Sequence, residues 1–290
     1  ILMIGGLITK LLGFAIRIIY TRMVGSDAIN LYSLVMPTYS LLLTIATLSL
    51  PVVISKLISE HKTKSIKILS SATAITLILN IIVIVIIYFT KDFIATTLLH
   101  DERCSVLLMS MALTFPFVSL SSVLKGYFYG KQKMGPHTIS NVIEQIVRII
   151  LIFLIIPSLV NKGIVYSVMG LILISIASEL ASIFTFLVFL PKKFKITKED
   201  LKPDMKTAKE ILNISIPTVS GRLVGNIGFF FEPIILTNVL LFASYSMDFI
   251  LNEYGAYNAY TISLLSMPSF FIAAISSSLL PEISKYFYHK

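Results

Sequence analysis

Long apolar runs separated by short polar breaks dominate this chain. A helix needs about 20 mostly apolar residues to cross a hydrocarbon core. Eight segments have that character: 2–24, 31–55, 69–90, 104–125, 138–160, 163–190, 211–243 and 256–284. The third is the cleanest, running from Leu69 to Phe89 without a charge. The seventh is long enough to tilt or break, and Pro217 and Pro233 offer places for a break. The runs are continuous rather than alternating over ten-residue stretches, which argues against a β-barrel. The pattern predicts an all-α polytopic membrane protein of about eight transmembrane helices.

Composition supports lipid as the solvent. Hydrophobic residues make up 56% of the 290 residues, charged residues only 13%, and the mean hydropathy is +0.89. Soluble domains carry about 25% charged residues. The position of the basic residues then predicts orientation. The stretches after the second, fourth, sixth and eighth segments hold sixteen Lys and Arg, whereas those after the odd segments hold three. By the positive-inside rule the amino end lies in the cytoplasm of a multi-pass cell-membrane protein. The formal charge of +9 is spread over four loops rather than gathered on one face, so nucleic acid is not an expected partner. Tyr127-Phe128-Tyr129 and Tyr286-Phe287-Tyr288 follow the fourth and eighth segments, where aromatic interface anchors belong.

Several chemistries are disfavoured. One cysteine, Cys104, excludes an internal disulfide, and His61, His100, His137 and His289 fall in expected loops or at the chain end without ligand spacing. No Walker A sequence, HExxH or Asp-rich loop is present, so the expectation is a transporter rather than an enzyme, with no cofactor and no metal. The chain starts at Ile1 and enters a hydrophobic helix at once, as expected of a fragment rather than of a secreted precursor.

One internal match points to a repeat. Met36 to Lys56 reads MPTYSLLLTIATLSLPVVISK, and Met267 to Lys285 reads MPSFFIAAISSSLLPEISK. Both carry Met-Pro at the start, a second proline near the end and Ser-Lys at the exit. If the second and eighth segments correspond, a six-helix unit precedes the seventh, and the two units are parallel rather than inverted. The expected organisation is a complete six-helix lobe over 1–196, a cytoplasmic linker over 197–210, and the first two helices of a second lobe over 211–290.

Charges inside the predicted helices are the candidate functional groups. Lys10, Arg17, Arg22, Arg148 and Arg222 remain there after the loops are counted, with Glu144, Glu179 and Glu232 on the acidic side. A charge near mid-membrane costs about 2.5–3.5 kcal/mol on insertion scales, so such groups face a bundle interior or a wet cavity. Lys10 and Arg17 share a helical face with Gly6 and Gly13. Arg22 sits near the outer interface, within snorkelling reach. Glu144 and Arg148, four apart, are placed to form a structural ion pair. Arg222, with Gly221, Gly225 and Asn226, makes a small polar patch in the counterpart of the first segment. A cleft lined by these helices is electropositive and suits an anionic cargo, whereas a cation-coupled drug antiporter wants a mid-membrane carboxylate that the first segment lacks.

Four stretches also resemble a known family. Leu7-Ile-Thr-Lys-Leu-Leu-Gly-Phe-Ala-Ile-Arg17 with Arg22-Met-Val-Gly25 is similar to the opening helix of the stage V sporulation protein B family of polysaccharide exporters. Leu50-Pro51 with Ser55-Lys56, Lys125-Gly126-Tyr127-Phe128, and Ser140-Asn141-Val-Ile-Glu144-Gln145-Ile-Val-Arg148 resemble its second, fourth and fifth helices. That family lies in the multidrug/oligosaccharidyl-lipid/polysaccharide exporter superfamily, together with lipid II flippases. The resemblance implies two pseudo-symmetric lobes around a central cavity. It also implies alternating-access export of an anionic polyprenyl-pyrophosphate-linked saccharide or peptidoglycan precursor, in a sporulation or cell-wall setting. On that basis Arg17 and Arg222 contact the pyrophosphate, with Lys10, Arg148, Arg22 and Asn226 extending the substrate site, and membrane lipids hold the tail. Where lipid II flippases carry an acidic residue after the first arginine, this chain has Ile18, and Leu31 to Pro51 lacks their basic residue. These departures weigh against lipid II itself. The competing readings are a cation-coupled multidrug antiporter on the same fold and a non-transporting scaffold whose partners are cell-wall synthesis enzymes.

Overall fold

The computed structural model describes residues 2–60, 65–191 and 203–265, and every regular element within them is helical. The first half comprises α1 (Leu2–Val24), α2 (Ser26–Thr47), α3 (Leu50–Glu60), α4 (Ser65–Phe93) with a terminal π-turn at Ile94–Leu98, α5 (Arg103–Ala112) and α6 (Phe115–Gly130). It continues with α7 (Met134–Val160), α8 (Ile164–Phe189), α9 (Met205–Phe242), α10 (Met247–Ala256), a π-turn at Tyr257–Thr261, and α11 (Ile262–Leu265). Among the described residues six stretches are long and apolar enough to cross a membrane: Ser26–Glu60, Ser65–Leu98, Arg103–Gly130, Met134–Val160, Ile164–Val188 and Met205–Phe242. With α1, and with the run that opens at Met247, they make a polytopic all-α membrane protein.

Burial is arranged as lipid demands. Phe89, Leu154, Phe184 and Val188 are each at least 65% exposed, while Ser71, Ser121, Ser140, Ser178, Ser182 and Ser215 are fully buried. Hydrocarbon gives apolar side chains no reason to hide, so hydroxyls and small residues mediate the helix contacts instead. The Ser140 hydroxyl lies 2.6 Å from that of Ser182, joining α7 to α8, and Ser119 donates to the Ala46 carbonyl at 3.2 Å, joining α6 to α2.

Two expected single helices are broken. The second segment divides where Leu48 and Ser49 adopt positive φ angles of 48° and 53°. Pro51 then falls in the first turn of α3, where its missing N–H leaves no ladder bond unmade. The fourth divides at Thr114, ahead of Pro116 near the start of α6. The seventh does the opposite of what its prolines suggest: α9 runs unbroken for 38 residues with Pro217 and Pro233 inside it. At about 1.5 Å per residue it is roughly 57 Å long, more than a hydrocarbon core requires. Of the linker expected at 197–210, residues 197–202 lie outside the described residues, and Met205 to Glu210 form the first turns of α9. Asp204 caps α9 by accepting from the Thr207 amide and hydroxyl, bonds that hold its carboxyl below the usual carboxylate range. Its own amide donates to the Ser71 hydroxyl at 3.0 Å, tying this start to α4. The eighth segment opens at Met247, earlier than the expected 256. Its repeat residues beyond Leu265, including Met267-Pro268 and Pro281, and the 286–288 aromatic cluster lie outside the described residues.

α3 lies against α6 through a small-residue stripe. Gly126 and Gly130, one turn apart, meet Ile54 and Ile58 of α3; an added Cβ on Gly126 would stand 2.8 Å from the Ile54 Cβ and 3.1 Å from the Pro51 Cα. Gly126→Val is expected to cost about 1–3 kcal/mol through overpacking, seen as a lower melting temperature in detergent. An unchanged melting temperature would show that α3 and α6 do not meet in this register.

Candidate functional site

The site forms where α1 leans on α7 and α2. Gly13, Ile16, Arg17 and Tyr20 share one face of α1, with Ile16 and Tyr20 buried against Ile29, Ile152, Ile156 and Ile174. That anchoring fixes the height of Arg17, whose guanidinium reaches a cavity of about 380 Å³. Arg148 of α7 enters the same cavity, with Tyr32 and Ser33 from α2, Ser175 from α8, Phe229 from α9 and Asn258 from the second π-turn. Arg17 donates to the Asn258 carbonyl at 3.1 Å. Among the described residues that line the cavity none is Asp or Glu.

Arg148 is held from below by its own helix. Its terminal nitrogen donates to Glu144 Oε1 at 2.9 Å, the pair the four-residue spacing predicts, while its buried Nε has no partner among the described residues. The Lys125 ammonium of α6 stands 4.0 Å from the other Glu144 oxygen. Beyond Arg148 a hollow of about 150 Å³ shares Tyr32, Met36, Arg148 and Ser175 with the larger cavity and extends to Tyr39, Thr114 and Glu179. Arg148 thus borders both hollows, the one that Arg17 lines and the one that Glu179 lines. A guanidinium that lines such a cavity is a donor for phosphate or carboxylate oxygens.

The remaining predicted site residues lie elsewhere. Lys10 and Gly6 are exposed, one to three turns from Gly13 and Arg17 on the shared face of α1. Arg22 is exposed and lines a separate cavity of about 280 Å³ with Arg17, Phe14, Thr21 and Tyr260. Arg222 is exposed on α9 and is not among the residues lining the described cavities. Asn226 is half-buried and donates to the Thr44 hydroxyl at 2.7 Å, pinning α9 to α2. Interhelical bonds of this kind contribute roughly 0.6–1.7 kcal/mol in membranes, so Asn226→Ala is expected to lower the melting temperature by a few degrees. No change would mean that this bond does not hold α9 to α2.

Lys125, Tyr32, Tyr39 and Asn258 are site residues that inspection of the sequence passes over, and Glu179, noted there as a charge within a helix, is given no role. Lys125 counts as a loop lysine until α6 is seen to continue to Gly130. His137 likewise is not in a loop but in the first turn of α7, with its Nε2 2.7 Å from the Tyr129 hydroxyl. One signal was available: His137, Asn141, Glu144 and Arg148 recur at helical spacing, as do Ser175, Glu179 and Ser182 on α8.

Comparison with known proteins agrees with this architecture. The profile of the family described as polysaccharide biosynthesis protein matches residues 1–287. Stage V sporulation protein B of Bacillus subtilis is 36% identical over 297 residues, covering 98% of this chain and 57% of that protein. Lipid II flippase MurJ of the same organism is 29% identical over 184 residues, covering 58% of this chain and 34% of that protein. The chain thus spans about half the length of the stage V protein and a third of MurJ. Among solved structures, an inward-facing multidrug resistance MATE family transporter of the MOP superfamily superposes with a TM-score of 0.62 at 20% identity, covering 89% of this chain and 58% of that one. A MOP superfamily transporter from Pyrococcus furiosus gives 0.59 at 17% identity, covering all of this chain and 72% of that one. At such identities these likenesses speak to the fold alone. The match over nearly every residue makes this chain a member of the polysaccharide biosynthesis protein family.

Proposed function

We propose that this chain belongs to a flippase that exports an anionic polyprenyl-pyrophosphate-linked saccharide or peptidoglycan precursor by alternating access. The observation that carries this reading is the shared cavity: two guanidinium groups from different helices, Arg17 and Arg148, with no carboxylate among the described residues that line it. Burying a second arginine in such a place makes sense when a multiply charged anion visits it, because each charge-assisted hydrogen bond contributes about 1.5–3 kcal/mol. The prenyl tail stays in the bilayer while the headgroup occupies the cavity. Arg148 rather than Arg222 is the partner of Arg17 in this arrangement. The relatives support the class of cargo: one is a lipid II flippase and another a sporulation protein. Positive-inside counting supports an amino end in the cytoplasm, and the internal match supports a six-helix lobe over about 1–196 followed by the start of a second.

Reconstituted full-length protein tests the reading. Proteoliposomes loaded with a fluorescent short-chain prenyl-diphosphate saccharide are expected to lose leaflet asymmetry rapidly. Arg17→Gln is expected to slow this, and a cationic dye should not be moved. Ion-gradient-driven uptake of the dye without lipid flipping would favour the antiporter, and neither activity would favour the scaffold.

A further inference from the structure

The anion-binding reading leaves Glu179 unused. Its side chain is 7% exposed, lines the smaller hollow beside Arg148 and Tyr39, and has an Oε2 with no hydrogen-bond partner among the described residues. Among the described residues the ionisable groups around it are Lys125 from α6, Glu144 and Arg148 from α7, and Tyr32 and Tyr39 from α2. The neighbouring α5 and the turn after it bring only Met111 and Thr114 to this hollow.

Among the described residues the set therefore holds two basic side chains, Lys125 and Arg148, and two acidic ones, Glu144 and Glu179. Arg148 is the member of that set that also faces the larger cavity. An anion seated there competes with Glu144 for the guanidinium and adds negative charge next to Glu179. In a low-dielectric interior a carboxylate so placed is costly, and binding a proton removes the cost. We propose that Glu179 takes up a proton when an anionic headgroup binds at Arg17 and Arg148, and releases it when the headgroup leaves. A hydronium ion or buffer acid donates the proton, an O–H bond forms at Oε2, and no bond in the cargo breaks. This deepens the flippase reading and rests on it, adding that cargo and proton occupancy are thermodynamically linked.

The test is calorimetry on the full-length protein in nanodiscs, in two buffers of different ionisation heat. The probe is a short-chain prenyl-diphosphate N-acetylglucosamine, a diester whose phosphates do not titrate near neutrality. Wild type is expected to take up as much as about one proton per probe bound, with affinity tightening as pH falls by up to about tenfold per unit. Glu179→Gln is expected to bind the probe with no proton uptake and no pH slope. A slope retained in Glu179→Gln, none in wild type, or a sodium requirement in its place overturns the linkage and leaves the flippase reading standing. Loss of binding in Glu179→Gln alone would make the carboxylate a binding or structural group and also overturns it. Failure of wild type to bind any probe overturns the flippase reading and the linkage together.

Discussion

Replacing Arg17 with glutamine is expected to reduce flipping of the anionic cargo by about a hundredfold, with the amount of folded protein nearly unchanged. The magnitude follows from losing one or two charge-assisted hydrogen bonds, together about 2.7 kcal/mol, at about 1.4 kcal/mol per decade. A glutamine amide can still donate to the Asn258 carbonyl, which Arg17 reaches at 3.1 Å, so that tie between α1 and the second π-turn is open to the variant as well. Arg17→Lys keeps the charge but not the planar fork of donors, and is expected to fall between the two. Flipping rates in proteoliposomes, normalised to protein that elutes as a single species, give the comparison. Wild-type rates in Arg17→Gln would remove the cavity from the transport path.

Glu144 is where a single change should do the greatest damage to the fold. It is the acceptor for Arg148 at 2.9 Å and stands 4.0 Å from the Lys125 ammonium. All three side chains are at most 21% exposed. Glu144→Leu takes from Lys125 and Arg148 the carboxylate they share, leaving Glu179 as the acidic group beside them among the described residues. Removing one partner of a buried pair costs about 3–5 kcal/mol. The expected result is a melting temperature in detergent lowered by ten degrees or more, or failure to recover monodisperse protein. Adding Arg148→Met to Glu144→Leu removes the stranded guanidinium and is expected to restore much of the loss. If the double variant is no more stable than the single one, the damage has another origin.

The transmembrane segments were legible because their signal is local: length and apolar content suffice, and α4, α7 and α8 fall close to the expected bounds. The breaks were less so. Nothing in the residue type announces that Leu48 adopts a left-handed backbone, since that conformation is forced by the packing of α2 and α3 and not by preference. Pro217 and Pro233 misled in the other direction, because a proline in a membrane helix is tolerated where neighbours satisfy the freed carbonyl. The candidate site shows the same division. Arg17 stood out as a charge too deep to reach water. Arg148 was expected both to pair with Glu144 and to extend the substrate site, but that it lines one cavity with Arg17 is a tertiary fact that spacing does not carry. Lys125 escaped because charge counting assigns a lysine at a helix end to solvent.

One measurement bears on the shared cavity most directly: a cryo-EM map of the full-length protein with a prenyl-diphosphate saccharide bound. The two phosphates should lie within hydrogen-bond distance of both Arg17 and Arg148, with the tail leaving between helices into lipid. Phosphate density beside Arg222, or anywhere that leaves both Arg17 and Arg148 without an oxygen neighbour, would contradict it.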